Sequence, residues 1–286
     1  MKNEDFVYEA ILAETAYSNK SDNPLTFTAS MMGNTLLQNY LTIVHGTPKP
    51  RSIGANTIGS IFHTGMEKII ADYWAKLGRD DDIPSFVRAE KNLQIKHKVG
   101  DQIWTISGTA DIIIEGKGGN ILIGDYKLAK QYAFKRLKNE LGTHPYAQQL
   151  HVLAHLCSKN FEISIDKIKL CVFAFSKDAK ALNGEPEYQQ IFIPSTPSDI
   201  NYTMAQVQTR IDLLNDIILE GGTPTECSKD EKWFRNLGKG KGSVPTRCLL
   251  YCDHFWAGNC PYESPWRNER SQQMLMTHQA TKVGDW

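Results

Sequence analysis

Two features are missing from this chain of 286 residues: a long apolar run and a net charge. No stretch of roughly 18 uncharged apolar residues occurs, which is about the length that a membrane-spanning helix needs. The N-terminal segment "MKNEDFVYEA" is acidic and lacks the apolar core of a signal peptide. With 32 basic and 32 acidic residues, the charge of the whole molecule cannot attract a polyanion. These absences predict a soluble, cytoplasmic protein.

A nucleic-acid partner would therefore have to be held by local basic patches. One patch is "KLAKQYAFKRLK" (127–138), and the other lies within "KDEKWFRNLGKGKGSVPTR" (229–247). A solvated helix face accounts for the first patch nearly as well as nucleic-acid binding does. Neither patch identifies a function by itself.

The order of the elements predicts a fold class. Apolar residues recur at helical spacing from Thr57 to about Leu77. Three strand-like segments follow, and "GKGGN" between the second and third predicts a hairpin turn. A helix beginning near His144, two strands and a further amphipathic helix come next. This order predicts an α/β protein with a mixed central sheet flanked by helices. "TFTASMMGNTLLQNYLTIV" (26–44) is predicted to be helical.

Composition predicts three regions along the chain. Residues 1–56 are turn-rich with one helical piece, and residues 57–221 carry the strands and the core of the fold. Residues 222–286 are rich in Gly, Lys, Cys and Trp without clear periodicity. A segment with so little periodic apolar sequence must be ordered by something other than a large core.

The segment "ILIGDYK" (121–127) places opposite charges at the end of a predicted strand. Residues i and i+2 of a strand point to the same face, so Asp125 and Lys127 are expected side by side. An ordinary ion pair is one interpretation. The other begins with Asp111, because the hairpin brings it near the same end of the sheet. Two carboxylates that repel each other are stabilised by a divalent cation, and their oxygens suit magnesium or manganese.

The predicted helix before these strands carries a histidine on a regular stripe. "GSIFHTGME" spaces Gly59, His63 and Glu67 four residues apart, along one helix face. A histidine in such a position is by default a core or surface side chain. Gly59 lowers helix stability by about 1 kcal/mol relative to alanine, which favours a close approach to the backbone there and a ligand role for His63.

Four motifs, "GSIFHTGME", "GTAD", "IGDYK" and "YAQQL", together resemble the RecB-like branch of the PD-(D/E)XK nuclease superfamily. The resemblance spans about Thr57 to Leu156. It implies a restriction-endonuclease-like core in which His63, Asp111, Asp125 and the carbonyl of Tyr126 bind Mg²⁺ or Mn²⁺. Lys127 would orient the attacking water and offset negative charge on the phosphate.

The resemblance also implies substrate-binding residues after the catalytic lysine. Tyr146 and Gln149 match the motif that positions DNA or the site, whereas Leu153 stands where the family has a tyrosine four residues after the glutamine. Lys130 and Arg136 of the first basic patch are further candidates for DNA binding.

Six cysteines in a cytoplasmic chain argue against a disulfide framework. Cys157 and Cys171 lie in apolar segments and are expected to be buried. The other four all follow the predicted core, with twenty, three and seven residues between them: Cys227, Cys248, Cys252 and Cys260. They predict a metal-binding C-terminal segment, with a 4Fe-4S cluster favoured by "NCPYE" and by the resemblance, and zinc as the alternative. In several relatives one cysteine precedes the core, which is not the case here.

The function that the resemblance implies is a metal-dependent deoxyribonuclease, an exonuclease of phage recombination, replication or DNA degradation. Its partners would be DNA and phage recombination or replication proteins, in the host cytoplasm if a phage encodes it. The alternatives are an endonuclease or CRISPR-adaptation-like nuclease, a DNA-binding module that breaks no bond, and a structural metalloprotein. The Asp-Tyr-Lys triplet argues against an idle site.

Overall fold

The computed structural model describes residues 23–48, 55–77, 86–176, 188–232, 234–236, 243–250 and 252–262. These residues fall into two compact units. The first, called here the sheet unit, contains Leu25–Gly33 and Gly54–Leu213. The second, called here the terminal unit, contains Asn34–Ile53, Leu214–Trp286 and the described residues of Met1–Pro24. The division at residues 56 and 221 that composition suggests stays a prediction.

The sheet unit is built on a six-stranded mixed sheet. Its strands are β1 (Thr26–Thr28), β2 (Phe86–Val99), β3 (Gln102–Glu115), β4 (Ile121–Ala129), β5 (Ile168–Ser176) and β6 (Tyr188–Ile193). β3 pairs antiparallel with β2 and with β4, and β5 pairs antiparallel with β6. The pairs β1–β3 and β4–β5 are parallel. The mixed sheet predicted from the sequence is therefore confirmed.

The helices confirm that the sheet alternates with helical segments. They are α1 (Leu36–His45), α2 (Ala55–Leu77), α3 (Gln131–Asn139), α4 (Pro145–Phe161), α5 (Pro197–Leu219), α6 (Lys229–Lys232), α7 (Thr246–Leu250) and α8 (Asp253–Trp256). Three 3-10 turns complete the set: Ala29–Gly33, Lys117–Gly119 and Ile165–Lys167. Among the described residues, none of the helices has the length and apolarity needed to cross a bilayer.

The prediction that residues 26–44 are helical throughout is wrong at its beginning. Residues 26–28 form β1, which lies parallel to β3 with Phe27 fully buried. The Thr-Phe-Thr sequence suits a strand because β-branched and aromatic side chains pack well on a pleated surface. Helix α1 begins only after Thr35, whose side chain and that of Gln38 form a reciprocal capping box.

Helix α4 packs closely on β3, and a glycine makes this approach feasible. A Cβ atom at Gly108 would lie 2.7 Å from Leu153 Cδ2 and 3.0 Å from Ala29 Cβ. Leu150, Leu153 and Leu156 of α4 are fully buried. The leucine at position 153 is thus a core residue that packs over the "GTAD" glycine, and this contact brings the start of α4 towards β4.

Only part of the apolar stripe of α2 faces the protein. Ile61, Ile69 and Tyr73 are about 60% exposed, at 59%, 61% and 63%. Phe62 is half-buried and its ring lies 5.0 Å from that of Phe175 on β5. The helical period identifies α2 correctly, but the apolar stripe is wider than the surface that the sheet covers.

The terminal unit joins α1 to the C-terminal segment through side-chain hydrogen bonds. Thr42 Oγ1 lies 2.9 Å from His254 Nε2, and the Tyr40 hydroxyl donates to the Gly222 carbonyl at 2.9 Å. Leu41, Leu249 and other side chains form a small apolar core. The strands β7 (Phe234–Asn236) and β8 (Ser243–Pro245) pair as a separate antiparallel ribbon.

Candidate active site

The hairpin of β3 and β4 brings two aspartates to one end of its paired region. The last pair of the ladder is Ile112 with Gly124. Asp111 comes immediately before the first of these residues and Asp125 immediately after the second. Both carboxylates are buried, with 7% and 1% of each residue exposed. The hairpin therefore juxtaposes the two acidic residues that the sequence analysis selected.

Lys127 forms the ion pair with Asp125 that the strand period predicts. Its Nζ lies 2.8 Å from Oδ1, to which it donates a hydrogen bond, and 2.8 Å from Oδ2. The ammonium group therefore contacts both oxygens of a carboxylate that is almost completely buried.

Burial and the opposite charge shift the pKa of each residue of this pair in opposite directions. Burial raises the pKa of Asp125 to about 6, although Lys127 opposes that shift. Burial by itself would lower the pKa of Lys127, but the charges of Asp125 and Asp111 outweigh it and the pKa is raised. At neutral pH the pair is therefore a carboxylate and an ammonium held out of water.

Asp111 is oriented by the backbone of the neighbouring strand. The backbone N–H of Tyr126 donates to Asp111 Oδ2 at 2.6 Å, and His63 Nδ1 lies 3.3 Å from Asp111 Oδ1. The hydrogen bond with Asp111 raises the pKa of His63. The ring of His63 also meets the ring of Tyr126 edge-on, with centroids 6.2 Å apart. Helix α2 thus brings its histidine to the first aspartate.

The first two turns of α4 contact the second aspartate and its lysine. Gln149 Nε2 donates to Asp125 Oδ1 at 3.4 Å. Lys127 Nζ lies 5.1 Å from the ring centroid of Tyr146, within the range of a cation–π interaction. Both residues of the "YAQQL" motif are therefore neighbours of the Asp125–Lys127 pair.

The sequence analysis expects a helix to begin near His144 but assigns no role to that side chain, which fixes the start of α4. Its Nδ1 accepts from the backbone N–H of Tyr146 at 3.2 Å, so the histidine is the helix N-cap. Its ring also lies 4.8 Å from the ring of Tyr146. The His-Pro-Tyr sequence carries a signal, because proline favours the first helical position and a capping acceptor stands before it.

Lys130 and Arg136 lie outside this contact network as far as the described contacts extend. Lys130 is the exposed N-cap of α3, and its side chain makes no capping hydrogen bond. Arg136 donates from Nε to both carboxylate oxygens of Glu140, at 2.9 and 3.1 Å. The charge of Arg136 is therefore already shared with an acidic neighbour four residues away.

The four C-terminal cysteines all belong to the terminal unit. Cys227 Sγ lies 3.4 Å from Thr35 Oγ1, and burial raises the pKa values of Cys227, Cys252 and Cys248, the last to about 12. The other cysteines of the set contribute to each of these shifts. Cys157 and Cys171 are buried in the sheet unit, as predicted.

The donor chemistry of both sets suits a metal, although their geometry is not that of a finished site. Over the described part of the chain, no group of three or more His, Cys, Asp or Glu side chains is arranged to hold a metal ion. Near Asp125 the positive charge is supplied by Lys127. The buried carboxylate of Asp125 and the oriented carboxylate of Asp111 nevertheless supply oxygen donors of the kind that hard cations bind.

Comparison with known proteins provides no family. No family model and no curated protein matches this chain. It is similar to the solved structure of SSO0001, with 16% identity, a TM-score of 0.49, and 90% of this chain and 95% of that chain covered. It is also similar to a protein from Eubacterium rectale named "Putative exonuclease", with 13% identity, a TM-score of 0.48, and coverage of 78% and 93%. Likenesses this distant add nothing to the functional argument.

Proposed function

We propose that this protein is a divalent-metal-dependent deoxyribonuclease of the RecB-like type, acting as an exonuclease on DNA. The proposal rests on the resemblance of the four motifs and on what their residues do in the structure. His63 and Gln149 are 86 positions apart in the sequence, yet each contacts one of the two buried carboxylates, Asp111 and Asp125.

One observation carries the proposal: Asp125 is almost completely buried with the Lys127 ammonium at 2.8 Å, and a second buried carboxylate, Asp111, lies at the same end of the β3–β4 ladder. A buried ion pair kept only for stability is a weak choice, because burial of both charges costs about as much as their attraction returns. A carboxylate that also binds a cation has a reason to be both buried and charged. Asp111, aimed by the Tyr126 N–H, supplies a second carboxylate beside it.

The roles of the residues follow from their chemistry. Asp111, Asp125, His63 and the carbonyl of Tyr126 would hold Mg²⁺ or Mn²⁺. When bound, the cation would supply Lewis acidity at the scissile phosphate. It would also lower the pKa of bound water, so that hydroxide is available as the nucleophile. Lys127 would release part of its contact with Asp125 and donate to the attacking water or to a phosphate oxygen. Gln149 would keep Asp125 in place.

The terminal unit is proposed to bind a second metal centre, a 4Fe-4S cluster, through Cys227, Cys248, Cys252 and Cys260. Two observations support it. The four thiols belong to one unit, and neighbouring cysteines of the set help to raise the pKa values of Cys227 and Cys248. Ligands that are not organised in the unfolded chain convert metal binding into folding free energy. The short helices α6, α7 and α8 would gain most from this stabilisation.

The test uses end-labelled linear DNA and closed circular DNA, each incubated with magnesium, manganese or EDTA. We expect shortening of the linear DNA with either metal, no cleavage in EDTA and survival of the circle. Asp111→Asn and Asp125→Asn should abolish cleavage. Asp101→Asn is the matched control, because Asp101 is an exposed aspartate between β2 and β3 of the same unit.

The outcomes separate the alternatives. Cleavage of the circle would replace the exonuclease with an endonuclease at the same site. DNA binding without cleavage under any metal would contradict the nuclease and favour a binding module. Cleavage by Asp125→Asn at the wild-type rate would show that the activity does not arise from this site.

A further inference from the structure

Helix α3 presents a basic surface directly after the strand that carries the catalytic pair. β4 ends at Ala129 and α3 begins at Gln131, so one residue separates them. The helix sequence "QYAFKRLKN" contains three basic residues and no acidic one. Phe134 and Leu137 anchor one side of the helix in the core, which leaves Lys135 and Lys138 exposed on the other.

An aromatic side chain lies on the same exposed side. Tyr132 is 70% exposed, the highest value among the exposed large hydrophobic side chains of the described residues. Residues three and four apart are neighbours on a helix surface, so Tyr132 stands beside Lys135 and Arg136. Arg136 is paired with Glu140, so Lys135 is the neighbour that adds positive charge beside the flat apolar face of the Tyr132 ring.

The exposed side of α3 follows directly on the strand of the proposed active site. Tyr132 comes five residues after Lys127, whose Nζ lies 5.1 Å from the ring centroid of Tyr146 on α4. Because a single residue separates β4 from α3, the first turn of α3, which carries Tyr132, begins near the end of the strand that carries Asp125 and Lys127.

We propose that α3 binds the single-stranded end of a nucleic-acid substrate, with Tyr132 stacked on an unpaired base and Lys135 beside the phosphate backbone. The assignment of this surface to substrate rests on the proposed nuclease function. Stacking requires a base whose face is not covered by its neighbour or its partner strand, which an unpaired end offers and an intact duplex does not. Lysines alone would bind either form, because phosphates carry no information about pairing.

Binding is measured in EDTA, so that no cleavage occurs. The readout is the fluorescence anisotropy of two labelled DNAs: a 12-nucleotide single strand, roughly the length of one binding site, and a blunt duplex. Tyr132→Ala should weaken single-strand binding at least about fivefold, the lower end of the effect of one stacked base. Duplex binding should change less than about twofold, within ordinary scatter for a lost surface side chain. Tyr132→Phe should bind like the wild type.

Two further variants separate stacking from charge. Lys135→Ala should reduce the dependence of log K on log salt by up to about 0.7, the value for one phosphate of a single strand. Tyr132→Ala should leave that dependence unchanged. Tyr202→Ala is the matched control, since Tyr202 on α5 is 62% exposed in the same unit and should have no effect.

Each result decides the inference independently of cleavage. Equal loss of single-strand and duplex binding in Tyr132→Ala, no loss in either, or no binding of the wild type to either DNA would overturn it. If the wild type cleaves DNA while Tyr132→Ala binds normally, the nuclease stands and this surface is wrong. If the predicted binding pattern appears in a protein that cleaves nothing, the surface stands and the nuclease is wrong.

Discussion

Replacing Lys127 by methionine tests whether Asp125 is a buried charge that depends on one partner. Asp125 is 1% exposed and its ammonium partner lies 2.8 Å away. Removing one member of a buried pair costs about 3–5 kcal/mol, because the other charge stays buried without compensation. The Lys127 side chain is 18% exposed. Asp125→Asn should therefore cost less, roughly 1–2 kcal/mol, since a stranded lysine can extend towards water.

The double variant Asp125→Asn/Lys127→Met should cost much less than the sum of the two single variants. No charge is then left buried, so a coupling of about 2–3 kcal/mol is expected from the cycle. The assay is urea unfolding in EDTA, followed by tryptophan fluorescence, for which the fully buried Trp104 is a reporter. Lys135→Met, at an exposed position, is the control and should change stability by less than about 0.5 kcal/mol.

The loss in free energy of unfolding caused by Lys127→Met should depend on pH, which gives a second measurement. The folded-state pKa of Asp125 is already raised to about 6, above its ordinary value. Without Lys127 it must rise further. An acid with a raised folded pKa costs stability above that pKa, and the cost disappears as pH falls through it. The deficit should therefore shrink between about pH 8 and pH 5. A deficit under about 1 kcal/mol at pH 8, or one that is the same at both pH values, would refute this account.

Three further predictions concern other parts of the molecule. Gly108→Ala should lower the free energy of unfolding by about 1–3 kcal/mol, because its Cβ would overlap Leu153 and press on Ala29; wild-type stability in urea would contradict the close packing of α4 on β3. Burial lowers the pKa of His151, whose ring nitrogens lie 2.9 Å from Thr203 Oγ1 and 2.8 Å from the Pro194 carbonyl. The contribution of His151 to stability should therefore be lost as pH falls below the ordinary histidine pKa. His151→Gln should reduce the fall in the thermal unfolding midpoint between about pH 7 and pH 5. An unchanged pH profile in this variant would show that another group titrates. Anaerobically purified protein should be brown, and Cys252→Ser should lose the colour and expose the C-terminal segment to protease; colourless protein with stoichiometric zinc would replace the cluster with zinc, and metal-free protein with a resistant segment would contradict both.

The sequence predicts the sheet well because its signals there are local. Strands β2 to β6 show β-branched and aromatic runs with turn residues between them, and the hairpin at "GKGGN" places Gly118 and Gly119 at positive φ, where glycine is favoured. β1 escaped prediction for the opposite reason. A strand of three residues carries little pattern, and it is stabilised by pairing with β3, about eighty positions along the chain.

The candidate site likewise contains some contacts that the sequence predicts and others that it does not. The spacing of Asp125 and Lys127 on one strand is enough to predict their contact, because the strand period places them on one face. The hydrogen bond from the Tyr126 N–H to Asp111 could not be predicted, because it depends on how β3 and β4 are aligned, and the hydrophobic pattern does not contain that alignment. The cap that His144 forms is local, and the His-Pro-Tyr sequence does carry a signal for it.

The amino-acid sequence by itself determined strands β2 to β6 and the hairpin, because these follow from a periodicity of two residues and from turn residues. It also supplied the residue types that could perform metal chemistry. Only the tertiary structure decided how deeply the carboxylates are buried and which groups contact them. It also decided which side of α2 is covered and that Tyr132 on α3 is exposed. Burial and contact arise from the packing of elements far apart in the chain, and the shift in the pKa of Asp125 is set by that packing.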